Sequence, residues 1–194
     1  GDLVQDETRA GYERFHDLLG DLGLPVYCLP GNHDDPVLMR EMLSAAPFQF
    51  CGVAEHGVWS LIMLNSFARQ DDGGVLAPED LDLLESSLAN SRSAHCLIAL
   101  HHQPVPMGSR WLDSVPLRNA AEFLAICDRH SRLRGIVWGH VHQASDRERR
   151  GVRLLSSPST CATTTTAPPS ACGPMRPTRA SCGRSSRRCP GSGK

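Results

Sequence analysis

The sequence predicts an α/β fold in which helices cover a largely buried sheet. Apolar runs of strand length sit at 26–29, 59–64, 96–100 and 135–138, and segments with apolar residues at helical spacing alternate with them. A chain of 194 residues with 40% hydrophobic content can bury one proper core and is too short for two substantial ones, so a single α/β domain is expected.

Each element has its own signal. Tyr12, Phe15, Leu18, Leu19 and Leu22 recur at amphipathic spacing and predict a helix, and the run 26–29 after Pro25 reads as a short buried strand. The apolar run 59–64 reads as the next strand. Pro78, followed by Glu79 and Asp80, suits the first turn of a helix whose buried stripe is Leu81, Leu84 and Leu88. Strands at 96–100 and 135–138 then flank a further helix at about 119–127. No internal repeat is visible.

Composition excludes several classes. No apolar stretch approaches the roughly 20 residues that span a bilayer, and the first residues form neither a basic region nor an apolar signal segment, so a cytoplasmic protein without membrane attachment is expected. None of the eight cysteines forms a Cys-x-x-Cys pair, which argues against a cysteine-ligated zinc knuckle and for small buried hydrophobes in a reducing compartment. Every Asp and Glu precedes residue 149, whereas six of the twenty Lys and Arg follow Cys161. Residues 1–161 therefore carry fourteen basic against twenty-one acidic side chains, a net charge of −7 that repels nucleic acid and favours a small-molecule substrate. Residues 162–194 contain no Leu, Ile, Val, Phe, Tyr, Trp, Asp or Glu, so a disordered, basic, low-complexity tail is expected there. Its abrupt onset is also what an out-of-frame reading of a GC-rich gene would produce.

The residues that carry chemistry cluster after strands. The run 26–29 leads into PGNHDDP, 96–100 into His101 and His102, and 135–138 into GHVHQ. Taken singly, Asn32-His33 could be a turn and His101-His102 a polar strand end, whereas His140 and His142 would share one face of an extended segment, a spacing that suits metal binding. Together they place five of nine histidines in three loops, at the strand ends where α/β sheets collect their ligands. Nitrogen and carboxylate donors without thiolate favour manganese, iron or zinc. Asp2 is the candidate bridging carboxylate for a pair of ions, and His33 the candidate general acid for a departing alkoxide.

GDLVQD at the start, GNHDD at 31–35, ALHH at 99–102 and GHVH at 139–142 resemble four successive motifs of the calcineurin-like metallophosphoesterases. The longer segments GDLVQDETRAGYERF, LPGNHDDPVL, ALHHQPVPMGSRWLDSVPLRNAAEF, GHVHQ and SSPSTC resemble the bacterial class III cyclic-AMP phosphodiesterases, over residues 1 to about 161. The resemblance implies a β-sandwich flanked by helices and hydrolysis of a phosphodiester, here 3',5'-cyclic AMP, by a metal-bridging hydroxide. It implies that Asp2 bridges both metals, that Asn32, His101 and His140 complete the second site, that His142 belongs to the first, and that His33 stands near the leaving group. A cyclic nucleotide is the implied partner, with a homodimer left open.

The chain departs from this family at both ends. The opening Asp-x-His motif and the strand ahead of Asp2 are absent, which implies a domain truncated at its N-terminus with an incomplete first metal site; the ordered sheet expected beyond Cys161 is replaced by the tail. Asn65 stands where an aspartate is expected, in a strand interior. Two rival readings follow: another metallophosphoesterase acting on nucleotides, phosphoproteins or lipid-linked pyrophosphates, and an inactive truncated remnant.

Overall fold

In a computed structural model, the structure describes residues 1–160; the expected tail at 162–194 lies outside them. The elements run α1 (Arg9–Leu19), β1 (Val26–Cys28), α2 (Pro36–Met42), β2 (Phe48–Phe50), β3 (Gly52–His56), β4 (Trp59–Met63), α3 (Pro78–Asn90), β5 (His95–Leu100), a 3₁₀ turn (Leu112–Ser114), α4 (Ala120–Cys127), β6 (Leu133–Trp138), β7 (Ser145–Arg149) and β8 (Val152–Ser156). Six strands form one sheet in the order β3-β4-β5-β6-β8-β7, and β1 and β2 form a separate parallel pair. The inner strands β4, β5, β6 and β8 are parallel, and the two edge strands are antiparallel. The expected α/β alternation is thus a six-stranded sheet with helices against it, plus a two-stranded layer.

Two apolar cores follow from this arrangement. Leu81, Leu84 and Leu88 of α3 and Phe123, Ile126 and Cys127 of α4 pack on Ile62, Ile98, Leu100, Ile136 and Trp138 of the large sheet. The periodicity read for α3 is the buried stripe itself, and its first turn carries Pro78, Glu79 and Asp80, the latter two facing the positive end of the helix dipole. The second core joins Val4, Tyr12, Cys28, Met39, Leu43, Phe48 and Phe50 around the β1-β2 pair. Here α1 is shorter than its pattern suggested. It ends at Leu19, before Gly20 and before Gly23 at φ +67°, and so Leu18 and Leu22 stay 75% and 56% exposed. Cys28, Cys96 and Cys127 are buried as expected, and burial pushes the Cys28 and Cys127 thiols up to about 11 and about 12. Among the described residues no helix is long and apolar enough to cross a membrane.

The hydrophobic pattern does not reveal α2 or the strands β2, β3, β7 and β8, which are short or carry charge. The three residues of β2 are too few for a period, and β7 reads SDRER. The latter is an edge strand paired with β8 through Arg150 and Gly151, both at positive φ as a tight hairpin requires. Charge on such an edge opposes pairing with another sheet. Asn65, expected inside a strand, lies past the end of β4, where its backbone N–H donates to Asp80 Oδ1 at 3.1 Å and its side-chain oxygen accepts from Phe67 N at 3.0 Å. The second is a turn bond, which an aspartate or an asparagine makes equally well, and the first uses only the backbone of residue 65.

One buried carboxylate fastens residues 1–4 to the rest. Asp34, 1% exposed, accepts from Leu3 N at 3.0 Å, Val4 N at 3.3 Å, Gly31 N at 2.9 Å and the Tyr12 hydroxyl at 3.2 Å. Tyr12 in turn accepts from Asp35 N at 2.8 Å, and Asp35 caps α2 through Val37 N at 2.8 Å. The two aspartates of GNHDD are therefore structural: one ties two chain segments together, the other starts a helix.

Two stability predictions follow. Phe123→Ala should cost about 3–5 kcal/mol by leaving a cavity between α4 and the sheet, whereas Leu18→Ala should change stability by less than about 0.5 kcal/mol. Asp34→Asn should cost about 2–3 kcal/mol, because an amide cannot accept from four donors, and Tyr12→Phe about 1 kcal/mol. Urea denaturation of the four variants measures all of these; an Asp34→Asn variant as stable as the parent would remove the carboxylate from its anchoring role.

Candidate metal centre

Adjacent parallel strands bring the candidate residues together. In the β5-β6 register Leu100 sits opposite Trp138, so His101 and Gly139 leave the sheet side by side, and Gly139 N donates to His101 O at 3.2 Å. His140 follows immediately. On the other side, the loop after β1 carries Gly31, Asn32 and His33 against Asp2, held there by Asp34. A Cβ on Gly31 would overlap Asp2 Oδ1, so only glycine permits this approach.

The geometry links five of the expected residues directly. Asp2 Oδ2 lies 3.1 Å from His101 Nε2, Asp2 Oδ1 accepts the His33 backbone N–H at 3.0 Å, and His140 Nδ1 lies within hydrogen-bond distance of Asn32 Oδ1, at 3.0 Å. His142 is exposed and lines the same cleft as Asp2, His101 and His140, a space of about 450 Å³. His33 is exposed on the loop, and its backbone is its recorded tie to Asp2.

The segment 139–142 differs from expectation. His140 and His142 do not share a face of an extended strand: both lie in the left-handed region, at φ 60° and 52°, with Val141 N folded onto Gly139 O at 2.6 Å. The turn sends His140 inward, 9% exposed, and His142 outward. Asp2 is likewise left-handed, at φ 56°. Non-glycine residues rarely adopt this conformation, at a cost of order 1–3 kcal/mol each, and they do so where packing over-determines them.

His102 was not among the expected site residues, yet it completes a cluster. His101, His102 and His140 present ring nitrogens that all lie within 4.8 Å of one another, with ring centroids 4.7–5.1 Å apart. His102 is fully buried, its Nδ1 is 2.8 Å from the Ser66 hydroxyl, and a side chain on Gly74 would overlap its ring. Strand alternation assigned neighbouring residues to opposite faces. That rule does not reach His101 and His102, because β5 ends at Leu100. The His-His doublet itself was the one available signal.

Electrostatics set the protonation states that metal binding needs. Burial lowers the His101 imidazole; it lowers His102 to about 3 and His140 to about 4, with the neighbouring rings adding to both effects. Burial alone would raise the Asp2 carboxyl, but the hydrogen bonds from the His101 ring and the His33 amide outweigh it and hold Asp2 well below the usual carboxylate range. An ionised carboxylate thus faces neutral imidazoles. His101 Nδ1 is buried without a hydrogen-bond partner among the described residues, while His101 Nε2 faces Asp2 and the His102 and His140 rings also lie against the backbone of Asp72 and Val115. Such an orphaned nitrogen is costly when left unpaired, and a cation accounts for it. The donor set fits a transition metal bound by nitrogen and oxygen.

The comparisons agree with this chemistry. A 3',5'-cyclic-nucleotide phosphodiesterase of Nostoc sp. is 37% identical over 161 residues, which cover 83% of this chain and 60% of that protein. The 3',5'-cyclic adenosine monophosphate phosphodiesterases CpdA of Pseudomonas aeruginosa and Escherichia coli K12 are 35% and 36% identical; each match covers 83% of this chain and 59% of the relative. The chain thus spans about three fifths of the length of these relatives. The sequence profile described as calcineurin-like phosphoesterase matches residues 1–144, and this chain belongs to that family.

Proposed function

We propose that the chain carries the catalytic core of a metal-dependent phosphodiester hydrolase that acts on 3',5'-cyclic AMP. The convergence of ionised Asp2 with Asn32 and the buried, neutral imidazoles of His101 and His140 carries this reading. In it, Asp2 would be the carboxylate shared by two ions, Asn32, His101 and His140 would complete the second site, and His142 would belong to the first; manganese, iron or zinc suits the donor set. A bound pair of ions supplies an activated water and neutralises charge on the phosphoryl oxygens. The similarity to named cyclic-nucleotide phosphodiesterases supports the choice of substrate.

The chain's own residues have distinct tasks. Asn32 orients the His140 ring across 3.0 Å, and the His33 amide fixes one oxygen of Asp2, leaving the other toward His101. The exposed His33 side chain, on a backbone tied to the site, is the group that delivers a proton to the departing ribose 3'-oxygen as water adds to phosphorus. An acidic body repels polyanions while leaving a small substrate free to enter.

Metal analysis and turnover separate these roles. With the family's Asp-x-His motif supplied ahead of Gly1 and manganese or iron bound, the protein should hydrolyse 3',5'-cyclic AMP; cleavage of an aryl phosphodiester with cyclic AMP untouched would sink the substrate assignment and leave the family intact. His33→Ala should lower kcat by about 10²- to 10⁴-fold with metal content retained, whereas His140→Ala should lose metal as well. Equal metal loss in both variants would make His33 a ligand or a structural residue.

A further inference from the structure

The loop between β5 and α4 leaves the metal cluster at His102 and returns to it at Val115, whose backbone lies against the His140 ring. This long connection is rigidly held. Asp113 accepts from Met107 N at 2.6 Å and Gly108 N at 3.0 Å; fully buried Gln103 donates to Leu112 O at 2.6 Å and accepts from Leu117 N at 3.0 Å. Arg147 Nη1 clamps Pro106 O at 2.7 Å, and Gly74 N bonds Pro116 O at 3.0 Å. Leu112, 2% exposed, anchors the 3₁₀ turn in the main core.

The residue this frame holds outward is Trp111, 70% exposed. Of the three tryptophans, Trp138 is buried in the core and Trp59 packs on His95 at 4.9 Å. The Trp111 indole makes no hydrogen bond or ring contact among the described residues, although its backbone oxygen closes the turn by accepting from Ser114 N at 3.0 Å. Trp111 stands four positions before Val115 across a 3₁₀ turn rising about 2 Å per residue, so its backbone lies roughly 8 Å along the turn from the residue that touches the His140 ring. A nucleoside spans such a gap. A large aromatic face kept in water on a fixed loop is costly unless something covers it, and the metal cluster, which addresses only phosphate, has no means of reading a base.

We propose that Trp111 is the platform on which the base of the cyclic nucleotide stacks, and so the residue that selects nucleotides over other phosphodiesters. The inference rests on the phosphodiesterase reading above. Stacking acts through the π face, so it distinguishes a purine from an absent base while leaving the chemistry at phosphorus unchanged, and loss of one such contact weakens binding by about 10- to 100-fold.

Calorimetric binding to the manganese-loaded protein tests this with two ligands: 3',5'-cyclic AMP and its abasic analogue, the 3',5'-cyclic phosphate of 1-deoxyribose. The parent should bind cyclic AMP more tightly than the analogue. Trp111→Leu, which keeps bulk without a π face, should abolish that preference with affinity for the analogue unchanged, and Trp111→Phe should retain most of it. A Trp111→Leu variant that keeps the preference, or that weakens both ligands equally, overturns the proposal, as does a parent that binds both ligands alike; in these cases the phosphodiesterase reading stands. A parent that binds neither ligand overturns that reading and this inference with it.

Discussion

The parallel pairing of β5 with β6 is the constraint from which the site follows. With Leu100 opposite Trp138, two chains leave the sheet at the same level, and the bond from Gly139 N to His101 O carries the pairing one step past the last strand residues. His101, His102 and His140 meet because of that alignment, although nearly forty residues separate the doublet from the third histidine. A slip of one residue would turn the inward side chains of β6 outward and take His140 away from Asn32. The buried faces of both strands oppose such a slip: Ile98, Leu100, Ile136 and Trp138 are each at most 3% exposed and interlock with α3 and α4.

The cluster that this register assembles is locally unfavourable in three ways. Asp2, His140 and His142 are held in left-handed backbone conformations, an imidazole nitrogen is buried without a partner among the described residues, and a carboxylate is partly desolvated. None of these features would persist in a site left to relax alone. The surrounding apolar cores and the Asp34 network outweigh them, since Asp34 satisfies four donors at once and so fastens Asp2 to the loop that carries Asn32 and His33. A cation would offset the second and third costs together, because it binds neutral imidazole and ionised carboxylate in the protonation states that burial and neighbouring groups already impose.

Around this centre the fold separates rigid supply from variable presentation. The strand ends deliver the donors, and the loop from 103 to 119 is braced by Gln103, Asp113, Arg147 and Asn119, the last bonded to Leu76 on both its amide atoms. Such bracing allows a loop to hold an aromatic side chain in water without collapsing onto the core. The loop can therefore vary in sequence while the clustered histidines stay where the sheet puts them.

Sequence alone determined the elements with enough apolar residues to show a period: α3 through Leu81, Leu84 and Leu88, the strands ending at Leu100 and Trp138, and the three histidine-bearing loops beyond strands, together with the motif order that marks the family. It missed α2, β2, β3, β7 and β8, because such short segments carry little period and charged or interrupted edge strands have no continuous apolar face. It also missed the roles of Asp34 and His102. A carboxylate that binds distant backbone amides looks, in sequence, like one more acidic residue beside a ligand motif, and a histidine beyond a strand end escapes the alternation rule. The turn at 139–142 is the clearest case. Its two histidines are plain in the sequence, but their left-handed backbone is unfavourable locally and exists only because packing against His101, Asn32 and Val115 imposes it. The donors were thus set by residue type, whereas their convergence and protonation were decided by contacts between segments about a hundred residues apart, which no local pattern encodes.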